Sequence, residues 1–472
     1  MNRERELVKS TIIISIGQFL PQLFNLILIP VLTKNLLKQE YGTYDFILAL
    51  VSLLLPIVTL QIQSAAFRFL IDVRGNVEEC KKIISSIFFF TISVSFIVIV
   101  ISYFAFPSLD RITRVILGFY LCADILYTVF GQALRGLADT VGFAIGAIIL
   151  AAVKTIFVVL TLLVFQQGLK GVLLAIVIGY FMSDLFLFLK GKLYQYIAIS
   201  SASKYTIKSL IQYSWPMIPN NLSSWILKIS DRFIITLFLG VEANAVYAAA
   251  NNIPGIINVA KGVVVMAWQE NASIAVKDED ASNYFSKMFR TMFALIVGIT
   301  ALMISFSPIL FKLLIKGDYA AAYEQMPILY IGVFFGCISA FQGGIYIAHK
   351  KTKSVGITTL IAAIINLVID IALVNSIGIY AGSISTLVSY FMLFIFRLFD
   401  VKRFQEIEYS YKEIICLLGI LVTMSFMGMS RNICVSAINC LIGVVFACVI
   451  NWDFLKGFTR IMRKKYYEIK KV

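Results

Sequence analysis

Residues 83–106 read IISSIFFFTISVSFIVIVISYFAF, and no charged side chain interrupts this apolar stretch. A helix needs about 20 apolar residues to cross the hydrocarbon core of a bilayer, so the stretch predicts a transmembrane helix. Thirteen other stretches of the chain are comparably apolar. The composition agrees, because 60% of the 472 residues are hydrophobic and only 14% are charged. We therefore predict a polytopic membrane protein.

The fourteen predicted spans lack the strand-like alternation of polar and apolar residues, so we predict an all-α fold. The first of them is long enough to span and has no small-residue cleavage site, which predicts a retained helix and not a signal peptide. The spans are 10–33, 43–67, 83–106, 112–134, 141–165, 171–189, 211–239, 242–269, 290–315, 324–348, 354–375, 378–399, 412–430 and 433–452.

The basic residues between the spans predict the orientation of the chain. Of 41 Lys and Arg residues, 29 fall in the two tails and the even-numbered loops, and eight fall on the opposite side. Short loops rich in Lys and Arg stay on the cytoplasmic side of a membrane. We therefore predict that both termini lie in the cytoplasm.

The formal net charge of +15 would suggest nucleic acid as the partner of a soluble protein. Here most of the charge falls at the predicted cytoplasmic ends of helices, so we predict contact with anionic membrane lipids and no nucleic-acid partner. The basic tail 456–472 is expected to lie on the inner leaflet. Its seven basic residues alternate with aromatic ones.

No pattern of catalytic or cofactor-binding residues is present in the sequence. The seven cysteines contain no CxxC pair, and the single histidine, His349, falls in a predicted loop. There is no phosphate-binding loop, no dinucleotide fingerprint and no nucleophile with an adjacent base. These observations predict a transporter and not an enzyme, with no catalytic residue, no metal site and no cofactor.

The chain repeats itself at an interval of roughly 200 residues, as transporters built from parallel lobes do. The matches include Tyr180-Phe181-Met182 with Tyr390-Phe391-Met392, and Gly168 and Gly171 with Gly378 and Gly382. We predict two six-helix lobes related by a parallel pseudo-two-fold axis, followed by two extra helices. The predicted divisions are an N-terminal lobe 1–190, a cytoplasmic linker 191–210, a C-terminal lobe 211–400, spans 13 and 14 within 401–455, and the tail 456–472.

Polar stripes mark the corresponding first spans of the two lobes. Helices that face lipid are apolar all round, so polar residues at helical spacing indicate a surface that lines a cavity or packs on other helices. Both spans also contain prolines, and interrupted segments in matching positions are pointers to a binding site. The predicted cavity residues from these stripes are Gln18, Gln22, Asn25, Asn221 and Ser224, and a similar stripe in span 8 adds Asn251.

Charged residues within spans are the stronger candidates, because such a charge costs at least about 2.5–3.5 kcal/mol near the bilayer centre. The basic ones are Lys154, Lys228, Arg232 and Lys261. Three acids, Asp124, Asp231 and Asp370, are candidates for ion coupling or for pairing with these bases. In particular, Asp231 could pair with Lys228 and Asp124 with Lys154.

In an ordered series of short motifs the chain resembles the oligosaccharide flippase family, the O-antigen and capsular polysaccharide repeat-unit exporters of the multidrug/oligosaccharidyl-lipid/polysaccharide superfamily. The resemblance covers nearly the whole chain. In the second asparagine place of span 11 this chain carries Asp370. The motifs are Phe19-Leu20-Pro21, Pro30, Tyr41-Gly42-Thr43-Tyr44, Phe67-Arg68-Phe69, Leu134-Arg135-Gly136-Leu137, Asp231-Arg232, Tyr247, Pro254, Ala267-Trp268-Gln269, Asn366-x3-Asp370 and Gly378-x3-Gly382.

The resemblance implies a substrate, an undecaprenyl-pyrophosphate-linked sugar repeat unit that is moved by alternating access. It also implies a place, because the movement is from the inner to the outer leaflet of the bacterial cytoplasmic (inner) membrane. Such units build O-antigen, lipopolysaccharide or capsule, so a polysaccharide polymerase and chain-length machinery are implied partners. Buried Lys and Arg suit the pyrophosphate, and amide groups suit the sugars. An inside-negative potential would also favour outward movement of an anion, by about 2.3 kcal/mol per charge per 100 mV.

Three other functions remain open at this point. A lipid II flippase would suit the same chemistry and the same number of spans. A multidrug exporter that exchanges organic cations would be expected to carry acidic residues in span 1, and this span has none. A membrane-embedded glycosyltransferase or polymerase would be expected to show a large outer loop or a cytoplasmic catalytic domain, and neither is present.

Overall fold

The computed structural model describes residues 2–107, 109–276, 278–430, 432–452, 454–457 and 459. Within these ranges it describes the side chains of all residues except 2–12, 14, 18, 259, 260, 263, 264, 266, 267 and 270. The chain divides into two compact units. The first comprises residues 1–225 and 240–245, and the second comprises residues 226–239 and 246–472.

The first unit is built from eight helices and the start of a ninth. They are α1 (Asn2–Asn35), α2 (Lys38–Val58), α3 (Ile62–Asp72), α4 (Val77–Ala105), α5 (Arg111–Gly136), α6 (Thr140–Val159), α7 (Gly168–Lys190), α8 (Lys204–Ser214) and the first residues of α9 (Ile218–Leu239). Helix α6 packs against α1 and α7, and α5 packs against α4 and α7. A core of Leu70, Ile84, Leu134, Leu187 and Leu210 joins five of these helices.

The second unit contains the rest of α9 and most of α10 (Val241–Ala275), followed by seven further helices. These are α11 (Ala281–Ser305), α12 (Ser307–Leu314), α13 (Ala320–Ala348), α14 (Thr352–Ile377), α15 (Tyr380–Asp400), α16 (Tyr411–Met429) and α17 (Ile433–Ile450). Helix α13 forms the core, since 89% of its most apolar segment is buried, against 17% for α17. Helices α16 and α17 pack on α11.

Among the described residues, twelve helices are long and apolar enough to cross a membrane. The two remaining predicted spans, 211–239 and 242–269, coincide with helices α9 and α10. Helix α9 carries three charged residues near its middle, Lys228, Asp231 and Arg232. The prediction of a polytopic, all-helical membrane protein is therefore confirmed, while the predicted division at residues 190 and 210 stays a prediction.

Three predicted spans are interrupted where the sequence pattern suggested continuous helices. Span 43–67 breaks between α2 and α3, where Leu60 and Gln61 take left-handed φ values of 49° and 58°. The carbonyl freed at Leu60 accepts a hydrogen bond of 2.7 Å from the Ser214 hydroxyl. In spans 211–239 and 290–315, Pro216 and Pro308 stand in the first turn of a new helical segment, where the missing N–H costs nothing.

Candidate functional site

In the first unit, Lys154 and Asn25 form a direct polar pair. The Lys154 ammonium on α6 donates a hydrogen bond of 2.8 Å to the Asn25 amide oxygen on α1. Both residues are half-buried, whereas Gln22, one turn before Asn25, is exposed. The side chain of Gln18 lies outside the described residues. The structure thus brings together two of the predicted site residues, Lys154 and Asn25.

Small residues allow α1 and α7 to approach α6 closely, α1 near Ala144 and α7 at Lys154. A Cβ atom on Gly17 of α1 would lie 2.7 Å from the Cβ of Ala144, and one on Gly179 of α7 would lie 3.0 Å from the Cβ of Lys154. Real Cβ atoms do not make the first of these contacts without movement, so the glycines are needed for this packing. The lysine stem is therefore held between close-packed helices, and the ammonium reaches Asn25.

The remaining basic candidates lie in the second unit on α9 and α10. Lys228 is exposed, and Arg232, one turn later, is half-buried. The Lys261 ammonium donates a hydrogen bond of 2.6 Å to the Asn258 amide oxygen and interacts electrostatically with Lys228. Repulsion between the two ammonium groups makes this region attractive to an anion.

The polar candidates beside these bases differ in what they contact. The Asn221 amide, in the first unit, donates to the Met217 carbonyl oxygen at 3.1 Å, one turn back along its own helix. Ser224, also in the first unit, and Asn251, in the second, are half-buried. Asn221 therefore uses its amide locally, which supports the packing interpretation for that residue.

Asp231 is a fully enclosed carboxylate that binds hydroxyl groups from two other helices. Its Oδ2 accepts hydrogen bonds from the Tyr247 hydroxyl on α10 at 2.7 Å and from the Thr386 hydroxyl on α15 at 2.6 Å. Its Oδ1 accepts a longer one from Ser385 at 3.4 Å. Only 2% of the residue is exposed. Gly382 makes this arrangement feasible, because a Cβ there would lie 3.0 Å from the Tyr247 ring and 3.1 Å from the Asp231 Cβ.

Asp370 on α14 lies close enough to Asp231 for the two carboxyls to interact electrostatically. It is completely buried, and neither of its oxygens has a hydrogen-bond partner among the described atoms. Asn366, one turn earlier on α14, accepts a hydrogen bond of 3.1 Å from the Ser230 hydroxyl. Arg232 supplies one positive charge that acts on Asp231. Because two adjacent carboxylates repel each other in an apolar interior, the cluster requires a second positive charge or a proton.

The pairings considered from the sequence are not those found in the structure. Among the described residues, Lys154 makes no salt bridge with Asp124, and Lys228 makes none with Asp231. Both pairing predictions are therefore corrected. The spacing along the chain is compatible with both pairs. However, the Lys154 side chain reaches α1, the Asp231 side chain lies among hydroxyl groups, and Lys228 lies on an exposed face.

Arg397 on α15 is a buried base that the sequence analysis counted among the loop residues. Its guanidinium donates to the Ser339 carbonyl oxygen at 2.7 Å, to the Thr358 hydroxyl at 2.9 and 3.1 Å, to the Thr359 hydroxyl at 3.1 Å and to the Val355 carbonyl oxygen at 3.3 Å. These contacts join α13, α14 and α15. Because Arg397 lies near the end of a predicted span, it was counted with the loop charges and not among the charges within spans.

The fold is that of a polytopic, all-helical membrane protein, and comparison with known proteins places it in a family. The family model for polysaccharide biosynthesis proteins matches residues 7–269, which is more than half of the chain. The chain belongs to this polysaccharide biosynthesis family. The resemblance seen in the motifs is thereby confirmed.

A curated relative is an uncharacterized membrane protein of Methanocaldococcus jannaschii, 22% identical over 279 residues. The match covers 57% of this chain and 54% of that relative, so the chain spans about half the length of the curated relative it matches.

Solved structures share the fold over most of the chain. The lipid II flippase MurJ in an inward closed conformation aligns with a TM-score of 0.73 at 16% identity, over 96% of this chain and all of that one. An inward-facing multidrug resistance MATE family transporter of the MOP superfamily aligns with a TM-score of 0.64 at 13% identity, over 80% of this chain and 98% of its own. At these identities the likeness shows the fold alone.

Proposed function

We propose that the protein is a flippase that moves a polyprenyl-pyrophosphate-linked oligosaccharide from the inner to the outer leaflet of the bacterial cytoplasmic membrane. The proposed orientation places both termini in the cytoplasm. The substrate class includes the repeat units of O-antigen, lipopolysaccharide or capsule. The family match supports a role in polysaccharide biosynthesis, and a polymerase with its chain-length machinery would act on the flipped product.

The observation that carries this proposal is that the Lys154 ammonium has no carboxylate partner among the described residues. Its ammonium lies within an apolar helix, and among the described residues its partner is the neutral Asn25 amide and not a carboxylate. A cation kept in a membrane helix costs at least about 2.5–3.5 kcal/mol near the centre, so an uncompensated one indicates a ligand of opposite charge. A pyrophosphate supplies that charge.

Lys228, Arg232 and Lys261 give the second unit its own set of basic groups. Two lysines that interact unfavourably with each other are stabilised when an anion binds to both. Arg232 can engage a phosphate through two parallel N–H groups. We propose that these residues contact the pyrophosphate in the course of transport, and that Gln18, Gln22, Ser224 and Asn251 contact sugar hydroxyls.

Reconstitution in liposomes tests the proposal directly. Purified protein should accelerate the transbilayer movement of a fluorescent polyprenyl-pyrophosphate oligosaccharide, and Lys154→Ala should slow this movement by about tenfold or more. Lys412→Ala is the matched control, because Lys412 is exposed at the start of α16. If Lys154→Ala flips the substrate as fast as the wild type does, the anionic-site proposal is wrong.

The energy source has two candidate forms in this proposal. The membrane potential alone can drive an anion outward, by about 2.3 kcal/mol per charge per 100 mV. Alternatively, the buried Asp231 and Asp370 bind a coupling cation, Na⁺ or H⁺, that the cluster needs for charge balance. A valinomycin-set potential should bias the distribution of the flipped lipid in the first case. In the second case, flipping follows an imposed Na⁺ or H⁺ gradient and Asp370→Asn removes that dependence.

A lipid II flippase is the second candidate function. The observation that favours it is the alignment with MurJ over 96% of this chain. Lipid II also carries a polyprenyl pyrophosphate, so the same basic groups would serve it. The liposome assay separates the two candidates when fluorescent lipid II and the lipid-linked oligosaccharide are compared at equal concentration.

A further inference from the structure

A groove of about 750 Å³ opens on the surface of the second unit between α12 and α17. Its walls are Pro308, Ile309 and Leu313 on one side and Ser436 and Ala437 on the other. Ile309 and Leu313 are 56% and 61% exposed, so they have apolar area to bury on a ligand. The volume lies within the range of about 300–1,000 Å³ that small-molecule sites occupy. The groove is therefore large enough for a ligand, and the surface that it offers is mainly apolar.

Helix α17 is anchored to the end of α11 at one end of the groove. A Cβ atom on Gly443 would lie 2.3 Å from the Ser305 hydroxyl oxygen. One turn earlier on α17, the Cys440 thiol donates a hydrogen bond of 3.0 Å to the Ser305 carbonyl oxygen. The next turn towards the start of α17 carries Ser436 and Ala437, which are small and line the groove. The space between α17 and α12 thus follows from close packing at Gly443 and small side chains beyond it.

Two lysines line the other end of the groove, where α12 ends and α17 begins. Lys312 lies in the last turn of α12, and Ile433 is the first residue of α17. The Lys316 ammonium donates a hydrogen bond of 2.6 Å to the Lys312 carbonyl oxygen, which holds it beside that last turn. The two lysines are the charged groups among the described lining residues, since the nearby acids Asp318 and Glu324 do not line the groove. Positive charge is therefore concentrated at one end of an apolar groove.

The length of the groove corresponds to part of one membrane leaflet. Ile433 and Cys440 both line it, and the seven residues between them correspond to a rise of about 10 Å along α17. One leaflet contributes about half of the roughly 30 Å hydrocarbon core. Helix α17 is a candidate span that is only 17% buried, which leaves most of its surface to the bilayer. The lysines thus stand at the level of lipid headgroups, and the groove extends from them into the acyl chains.

We propose that this groove is a binding site for an anionic phospholipid, whose phosphate contacts Lys312 and Lys316 and whose acyl chain lies along α17 as far as Cys440. Basic groups at a membrane surface favour anionic lipids. A zwitterionic phospholipid is bound less well, because its own ammonium group is repelled by the lysines. The groove is shorter than a leaflet is thick, so it matches the upper part of a fatty acyl chain. A polyprenyl tail would leave most of its length outside.

The phospholipid site does not depend on the proposed flippase function. None of the basic residues that we propose to contact the pyrophosphate lines this groove. A lipid that binds the folded protein and not the unfolded chain stabilises the fold by mass action. The bound lipid would therefore act as a structural ligand that fills the space between α12 and α17, whichever substrate the protein transports.

Native mass spectrometry of the full-length protein in detergent tests the site without any transport substrate. The protein is titrated with phosphatidylglycerol, which is anionic, and with phosphatidylcholine, which is zwitterionic. We expect the first phosphatidylglycerol to bind about tenfold more tightly than the first phosphatidylcholine. Lys312→Gln and Lys316→Gln should each weaken phosphatidylglycerol binding about fivefold. Lys412→Gln is the matched control and should retain the wild-type affinity, because Lys412 is exposed at the start of α16 and does not line the groove.

A second pair of variants tests the apolar part of the groove. Ala437→Phe fills the groove and leaves both lysines in place, so it should lower the affinity for phosphatidylglycerol by about tenfold or more as the chain loses its apolar contacts. Val445→Phe adds a ring to an exposed position of α17 outside the groove and should have no effect. In the wild type, the preference for phosphatidylglycerol should decrease as salt is added, because exposed charges are screened. This last readout requires no variant to fold.

Four outcomes would overturn the proposal. Equal affinity for the two lipids in the wild type would show ordinary contact with the bilayer and no site. Unchanged phosphatidylglycerol binding by Ala437→Phe would place the lipid elsewhere on the chain. A two-chain mass that Ala437→Phe abolishes would show that a second copy covers the groove. Displacement of phosphatidylglycerol by an equal concentration of a polyprenyl phosphate would assign the groove to a polyprenyl lipid. A failure of the flipping assay in liposomes would leave each of these measurements unaffected.

Discussion

The Lys154 ammonium on α6 donates a hydrogen bond of 2.8 Å to the Asn25 amide oxygen on α1. An amide cannot neutralise the charge it orients, so the pair fixes the position of a cation without cancelling it. Lys154 therefore supplies the charge and Asn25 supplies its orientation, and each contribution can be removed by its own substitution.

Replacement of the Lys154 charge should affect transport more than loss of its orientation does. We expect Lys154→Ala to slow flipping by about tenfold or more, because a charge-assisted hydrogen bond is worth roughly 1.5–3 kcal/mol. Asn25→Ala should have a mild effect, since the ammonium remains. The measurement is the initial flipping rate in liposomes at equal protein density. A larger loss in Asn25→Ala than in Lys154→Ala would contradict this ranking.

The close approach of α15 to α9 and α10 predicts a strong effect of one methyl group. In Gly382→Ala the new Cβ would lie 3.0–3.1 Å from Tyr247 and Asp231, so we expect a loss of about 1–3 kcal/mol in unfolding free energy. Gly356→Ala is the matched control, because that glycine is also helical and has nothing within 4 Å of the added atom. It should be neutral or stabilising by up to about 1 kcal/mol. Thermal unfolding in detergent measures both, and equal transitions would refute the packing argument.

The hydroxyl groups around Asp231 predict that removal of one donor is destabilising. Thr386→Val keeps the side-chain shape and removes the hydroxyl that donates at 2.6 Å. We expect a cost of about 1–3 kcal/mol, because the bond is to a buried carboxyl. Thr423→Val on α16 is the control, since its exposed hydroxyl bonds only to Gly419 one turn back. Chemical unfolding should show a lower free energy of unfolding for Thr386→Val than for Thr423→Val.

Lys170 and Asp110 form a salt bridge outside the spans, with an N–O distance of 3.0 Å. We expect it to make a small, pH-dependent contribution to the free energy of unfolding. The Thr113 hydroxyl and then Lys170 lower the pKa of the Asp110 carboxyl. A lowered pKa stabilises the fold above the unfolded-state value near 4, and this contribution is lost as the pH falls through the folded value. Because both side chains are about half exposed, Lys170→Gln should cost less than about 1 kcal/mol at pH 7. A larger cost there would contradict the assignment to a surface pair.

Span placement could be predicted because the signal is long and apolar, as in residues 83–106, of which all but the last fall within α4. The break at Leu60 and Gln61 could not be predicted, because neither residue is a glycine or a proline and the left-handed turn is held by Ser214, more than 150 residues away. Local propensity carries no information about such a partner.

The charged residues of the candidate site were identifiable for the same reason, since a charge inside a span is conspicuous in any sequence. The hydrogen-bond partners of these residues could not be identified from the sequence. Tyr247 and Thr386 surround Asp231 only because Gly382 lets the helices meet, and a pairing argument based on spacing selected Lys228 instead. Asp184 was passed over because it lies near the end of its span, although its burial matches that of Asp124.

Arg397 has a consequence for the evolution of the second unit. Its donors are shared among a backbone carbonyl on α13 and two threonine hydroxyls on α14, so one side chain depends on three helices at once. A lysine has too few donors and the wrong geometry to replace it. A lineage that loses this arginine leaves the Ser339 carbonyl without that donor, whereas the Thr358 and Thr359 hydroxyls keep their bonds to the Val355 carbonyl. Related sequences that keep this packing of three helices should therefore keep the arginine.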